Sequence, residues 1–325
     1  MIKQNLVNKI LEPNDSLIIV DAGARGGTKE VESLHSISSI YAFEPNPDEV
    51  EKIDVTGAGK NNTSLNPKRG QVSIWPYALA GKTGTSVLNV SRRPGASSLL
   101  EPDAESLSHF KKDNWSELVE VVERLDVPST TVADFAESTG LDYIDLFKLD
   151  TQGTELEILE SAGALLERVS IIRAEVEFMT MYKGQPLFHH MADVLFKLGF
   201  ELIDIQHSQS CKRFQYDPYL PPEAYRLIWG DAVFVHRPYD FNAPRAIQKA
   251  LVLGAMGYVD PALYILSNLP SLDDRTAKEL ELFLRDTLKP PTWKSKVRRF
   301  VEKNLGLEIS RYNWHVGKQI ISRRT

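Results

Sequence analysis

Two acids and three glycines near the N-terminus form the first group of residues whose types and spacing could do chemistry. In LIIVDAGARGG (Leu17–Gly27) an apolar run ends on Asp21 and opens into Gly23, Gly26 and Gly27. Glycines there let the backbone turn sharply and approach a ligand where a Cβ would collide. The next apolar run ends at Glu44 in YAFEPNP. An acid about 20 residues past a glycine turn is placed to accept both hydrogen bonds of a ribose diol. Taken singly, the glycines also fit a tight turn without a ligand, and Glu44 a solvated loop acid. Their register favours a nucleoside-containing cofactor.

A second group lies in FKLDTQGTELEILESAG, Phe147–Gly163. Asp150 follows an apolar strand and so falls at the carboxyl edge of a sheet, where ligands sit in open α/β folds. Gly153 allows close backbone approach, and Thr154 can cap a helix starting at Glu155. Asp150 and Gln152 are expected to point into the same cleft as the glycine turn; a capping or loop role for Asp150 is the alternative. In RAEVEF, Glu175 and Glu177 alternate across Val176 and share a strand face. Neighbouring acids by a cleft raise a pKa, which suits a general base. An ion pair of one of them with Arg173 is the competing reading. Candidate bases are Asp150, Glu175, Glu177, His189 and His190, with His109 a weaker one; Asp150 and Glu175 are preferred.

The choice of cofactor turns on Asp21. An acid at a pyrophosphate-binding loop would repel the phosphates, and the DxGxxG spacing departs from GxGxxG. The ammonium of S-adenosylmethionine, by contrast, wants an acid. The expected cofactor is therefore S-adenosylmethionine rather than NAD, with an NAD-dependent oxidoreductase as the rival within the class. No metal site is expected, since no acid cluster with metal-site spacing accompanies Asp150.

The elements that must position these residues follow from alternating short apolar runs and helical patterns, the mark of a parallel sheet covered by helices. Strands are expected near Leu17–Asp21, Ser39–Phe43, Val72–Tyr77, Leu146–Lys148, Ile171–Glu175, Glu201–Ile205 and Ala232–His236. Helices fit Thr28–Leu34, Thr131–Glu137, Leu156–Glu160 and Phe188–Leu198. A long polar insertion, Gly81–Asn114, follows the third strand; loops of that length are usually functional. Within it, SRRPGASSLLEP (Ser91–Pro102) could form a lid, with Arg92 and Arg93 available to an anionic acceptor or simply solvated. The last two strands lack an intervening helix and are expected to pair antiparallel. A seven-stranded sheet with a reversed last strand is the class I methyltransferase arrangement.

Composition is that of a globular protein, 42% hydrophobic and 25% charged over 325 residues. A net charge of −6 argues against a nucleic-acid binder. The single cysteine, Cys211, rules out an intrachain disulfide or a cysteine-rich zinc site. Polar residues interrupt every apolar run of the first 16 residues, and no uncharged stretch of about 18 apolar residues occurs. A cytoplasmic location is expected. The boundary falls after Pro238: residues 1–238 read as the catalytic domain and 239–325 as a helical extension with a basic tail. From Pro291 onward nine basic side chains face two acids. That tail could dock on the domain, join a sister subunit in a homo-oligomer, or lie peripherally on an anionic membrane.

LIIVDAGARGG, YAFEPNP, YALAGKTGTSVLNVSRRPGASSLLEP, FKLDTQGTELEILESAG and RAEVEFMTMYKGQPLFHHMADVLFKLGFELIDI, in this order, resemble the FkbM family of S-adenosylmethionine-dependent methyltransferases over roughly Leu17–Arg237. The resemblance implies a Rossmann-like class I fold and methyl transfer to a hydroxyl, often on a sugar or a secondary metabolite. It implies that Asp21, Gly23 and Glu44 hold the donor, with Gly26 in the same loop. Ala78 and Leu79 would lie by the adenine. Asp150 and Gln152 would sit near the methionine end and the reacting centre. Arg25 stands where the family's DVGANxG motif carries a small amide. The acceptor would be a small molecule or glycan, with no nucleic acid involved. A catalytically degenerate donor-binding or scaffold protein is the alternative from a different class.

Overall fold

The computed structural model describes residues 10–11, 15–27, 29–51, 53, 59–62, 65–108, 115–211, 226–237, 245–269 and 272–287. The candidate His109 and the basic tail lie outside them. In chain order the described strands are β1 (Leu17–Ala22), β2 (Ser38–Phe43), β3 (Gly59–Asn62), β4 (Gln71–Trp75), β5 (Ala78–Leu79), β6 (Gly84–Ser91), β7 (Val121–Thr130), β8 (Ile144–Leu149), β9 (Val169–Glu177), β10 (Phe200–Cys211) and β11 (Arg226–His236).

Eight of them form the main sheet in the order β10-β11-β9-β8-β1-β2-β4-β3. Every expected strand is there, and β3 adds a short edge. Pairing is parallel except at β11, which runs antiparallel to both β9 and β10. The sheet is thus the seven-stranded class I arrangement with its reversed last strand, plus one edge strand.

Both faces of the sheet are covered, and the strands show it by alternation. In β1, Leu17 and Ile19 enter one core while Val20 and Ala22 enter the other. The second core is closed by helices α1 (Val132–Thr139), α2 (Glu155–Glu160) and α3 (Phe188–Lys197), through Phe135, Ile158 and Leu195 among others. The first is closed by Lys29–Ile37 and by helices α4 (Ala246–Ala255), α5 (Val259–Ser267) and α6 (Asp274–Thr287).

The helix expected after the glycine turn is a kinked 3₁₀ helix, Lys29–Ile37; its buried residues Val31, Leu34 and Ile37 recur every three positions, the period of a 3₁₀ turn. Residues beyond 238 are no separate unit as far as they are described. Ala250, Leu251 and Val252 of α4 are fully buried against the sheet's own core. Arg245, just ahead of α4, grips Asp145 of β8 through two nitrogens at 2.7 and 2.8 Å and Asp15 at 3.0 Å. The division at 238/239 therefore does not fall between two cores.

The polar insertion is also more ordered than its composition implied. β6, inside it, pairs antiparallel with β7, and β5 pairs parallel with β7, making a small second sheet. This sheet carries the 91–100 segment over the carboxyl ends of β1, β2, β8 and β9. Among the described residues no helix is long and apolar enough to cross a membrane.

Candidate active site

The loops after β1 and β8 meet so closely that only a glycine fits between them. Gly23 has φ +77°, and a Cβ there would lie 2.0 Å from the Asp150 carbonyl oxygen. The Gly23 N–H donates to Phe43 O (3.1 Å) and the Asp150 N–H to Ala22 O (3.0 Å). The ends of β1, β2 and β8 are thereby laced together around one point. Above them opens a cavity of about 320 Å³, within the range of small-molecule sites.

One end of the cavity is lined by Glu44, Ala78 and Leu79, with Tyr77 at its side. Glu44 is buried and accepts a hydrogen bond from the Asn46 N–H (2.9 Å). Burial pushes its carboxyl up to about 7, Glu49 and Asp21 adding to the rise while the Asn46 bond and Arg25 oppose it. Arg25 bonds Glu49 Oε2 at 2.5 Å, and its guanidinium reaches to within 3.0 Å of where a Cβ of Gly95 would stand. The residue replacing the family's small amide thus neutralises a buried acid beside Glu44 and borders the 91–100 segment. Gly26 ends the single 3₁₀ turn Ala24–Gly26 that carries Arg25.

Asp21 does not line the cavity. It is 1% exposed and faces Lys148, its register partner on β8, whose Nζ donates to Asp21 Oδ1 at 2.8 Å. The pair belongs to a polar row across the sheet: Asp21 on β1 is the register partner of Lys148 on β8 and Lys148 of Arg173 on β9, whose guanidinium reaches Asp231 on β11, two residues from its own register partner Val233, at 2.8 Å. An acid ahead of the glycine turn is compatible with the fold because a lysine 127 residues away neutralises it. Any help it gives a bound cation passes through that pair.

The other end of the cavity is acidic. Asp150, Gln152 and Glu175 line it together, with Trp229 and Met181 beyond. Gln152 Nε2 donates to Glu175 Oε1 (2.6 Å) and to Asp150 Oδ1 (3.2 Å). Arg173 pairs with Asp231, so Glu175 takes its hydrogen bond from Gln152 instead. Burial raises the Glu175 carboxyl well above its ordinary range, with Asp150, Glu177, Glu155 and Asp231 adding to the effect. Glu177 is raised likewise, first by burial, but does not line the cavity. Glu155 accepts from the Thr151 N–H (2.7 Å), Thr151 Oγ1 (2.9 Å) and the Gly153 N–H (2.9 Å), which fixes the loop carrying Gln152. Burial pushes Glu155 up to about 7.

His189 and His190 are exposed at the start of α3, where His190 Nδ1 accepts from the Leu187 N–H; neither lines the cavity. Arg92 pairs with Glu120 at the surface (2.5 Å), while Arg93 lines the cavity rim. Sequence reasoning missed Lys148, Glu155, Tyr182 and Trp229. Lys148 sits inside the quoted KLD motif and could have been found by pairing Asp21 across parallel neighbours. Nothing in the spacing of Tyr182 or Trp229 announces them.

The cavity suits a cationic nucleoside donor on one observation of the fold: a lining that holds Glu44, Asp150 and Glu175. The strand order adds the class I methyltransferase architecture. A model of the methyltransferase FkbM domain matches residues 21–202, more than half of the chain, and the chain belongs to that family of S-adenosylmethionine-dependent methyltransferases.

A curated relative is the 2-O-methyltransferase NoeI of Sinorhizobium fredii, 22% identical over 203 residues that cover 60% of this chain and 76% of that protein. Among solved structures, a TehB-like SAM-dependent methyltransferase from Corynebacterium glutamicum overlays at 11% identity with TM-score 0.27, covering 71% of this chain and 85% of that one. TrmK of M. capricolum, solved with S-adenosylhomocysteine, overlays at 10% identity with TM-score 0.28, covering 89% and 100%. At those scores the overlays carry no argument.

Proposed function

We propose that the protein methylates a hydroxyl group of a sugar or glycan, with Glu175 as the base that takes the hydroxyl proton. The observation that carries this reading is the Asp150–Gln152–Glu175 triad on the cavity wall, in which a buried carboxyl of raised proton affinity is held at 2.6 Å by an amide. The naming of a relative as a 2-O-methyltransferase supports the oxygen acceptor.

S-adenosylmethionine supplies a methyl on a sulfonium, so the transfer is an in-line displacement that releases a neutral thioether. The chain's residues do the rest. Glu44 accepts the ribose hydroxyls, Gly23 lets the backbone approach, and Ala78 and Leu79 border the base. Asp150 and Gln152 serve the amino-acid end and the reacting centre. Glu175 accepts the proton lost by the acceptor oxygen as its bond to carbon forms, and Trp229 offers a flat apolar wall for a sugar ring. Positioning of this kind can contribute about 7–11 kcal/mol.

Incubation with methyl-labelled donor and a panel of nucleotide sugars and glycan fragments tests the reading. Label is expected as an ether on one class of sugar, with kcat reduced about 10²–10⁴-fold in Glu175→Gln. Label on nitrogen, or full turnover in both Glu175→Gln and Asp150→Asn, would contradict it.

A further inference from the structure

The 91–100 segment touches the acid pair through Gln152, and from two directions. Ser98 Oγ donates to the Gln152 carbonyl oxygen at 2.8 Å. The Tyr182 hydroxyl, on a residue 1% exposed, lies 3.0 Å from Gln152 Oε1 and 2.9 Å from the carbonyl oxygen of Ala96 in that segment. A phenol has one proton for these two acceptors. Gln152 itself sits at φ 60°, in the left-handed region that a non-glycine residue holds only when its surroundings enforce it. A β-bridge between Pro102 and Tyr182, and the Asp103 N–H donating to Met181 O (2.9 Å), fasten the two segments further along.

The orientation of the Gln152 amide matters because its two ends have opposite chemistry. With nitrogen toward the acids, each carboxylate receives an N–H. Turned over, the amide presents a carbonyl oxygen, which Glu175 can face only by keeping a proton to donate. The donor that selects the first orientation is the Tyr182 hydroxyl. Glu175 is otherwise faced by Asp150 and Glu155 from the loop and helix after β8, by Glu177 on its own strand and by Asp231 on β11. These are all acids, so among the described residues it is the Gln152 amide N–H that donates a hydrogen bond to Glu175.

We propose that Tyr182 is a positioning residue: it locks the Gln152 amide with its nitrogen toward Asp150 and Glu175, so that the seating of the 91–100 segment governs how readily Glu175 takes a proton. When Tyr182 gives its proton to Gln152, the acid pair is set for the ionised form of Glu175. When the proton goes to Ala96, the amide is released. The lid over the cavity and the proton acceptor beneath it are thereby one mechanical unit. The catalytic consequence rests on Glu175 as base; the coupling to Glu175 does not.

A carbon-13 titration of protein labelled at glutamate carboxyls tests this without any acceptor, the Glu175 resonance being assigned by its loss in Glu175→Gln. Tyr182→Phe is expected to raise the Glu175 midpoint by about one unit, roughly tenfold in proton affinity. Gln152→Met, which removes both N–H donors, is expected to raise it at least as far, and Tyr182→Phe should then add nothing. Thermal unfolding of the same samples separates lost folding from a changed midpoint. An unmoved midpoint in either single variant, or an equal rise from Tyr182→Phe in both backgrounds, would overturn the proposal. The kcat pH profile of Glu175→Gln bears on the base assignment alone, so the two ideas fail separately.

Discussion

A Cβ on Gly23 would stand 2.0 Å from the Asp150 carbonyl oxygen, on a backbone already at φ +77°. Gly23→Ala is therefore expected to force the β1 and β8 loops apart. It should lower stability by about 2 kcal/mol or more and abolish measurable donor binding; denaturant unfolding and calorimetry would show both, and an alanine variant with wild-type stability would contradict the close approach. Glu44 invites a different argument. Burial pushes its carboxyl up to about 7, whereas a ribose diol is best bound by the carboxylate. Because the folded value is raised, the free protein loses this group's stabilisation as pH climbs from the ordinary glutamate range through about 7. Bound donor would recover it. At this scale the sequence was informative wherever chemistry followed local spacing. Gly23, Glu44, Asp150 and Gln152 were all legible from their place after an apolar run, and all line the cavity. Asp21 was not, because what decides its role is Lys148 on another strand.

Among the elements, the strands of the main sheet were readable where they carry a run of consecutive buried apolar residues, as residues 40–43 in β2 and 233–235 in β11 do. β6 and β7 were hidden by the same logic. Their apolar residues are interrupted by polar ones, as in VVERLDVPST, many of their positions are exposed, and half of each strand is polar. The insertion consequently looked like loop, although antiparallel pairing with β7 makes its Gly84–Ser91 part a strand of the second sheet. The kinked helix at Lys29–Ile37 shows that period three, not the presence of apolar residues, was the feature to weigh. The buried Asp21–Lys148 pair ties β1 to β8 at the point where both strands reach the site. Lys148→Met should strand a buried carboxylate and cost about 3–5 kcal/mol, with part of the loss recovered when Asp21→Asn is added. Chemical denaturation measures it, and a loss below about 1 kcal/mol would show that the pair is not what neutralises Asp21.

On the scale of the whole molecule, the helices after residue 245 complete the sheet rather than decorate it. Composition misled here: the change in character near Arg237–Pro238 marks where strands end and helices begin, and a shift in element type is easily read as a shift in domain. Arg245 and the apolar face of α4 close the side of the sheet opposite α1 and α2, so the rigid floor of the cavity depends on residues some 100 positions from Asp145. Rigidity of that floor is what lets the loops after β2 and β8 present Glu44 and Asp150, and β9 present Glu175, at fixed positions. The central claim is that this one cavity holds the methyl donor through Glu44. Calorimetric titration with S-adenosylhomocysteine at pH 6 and pH 8, on wild-type protein and Glu44→Gln side by side, tests it most directly. One site is expected, tighter at pH 8, where no proton need leave Glu44. The variant should bind about 10- to 100-fold more weakly, as loss of a charged hydrogen bond worth about 1.5–3 kcal/mol requires, and without the pH dependence. Equal affinity in the two proteins, or no binding by wild type, would contradict the account.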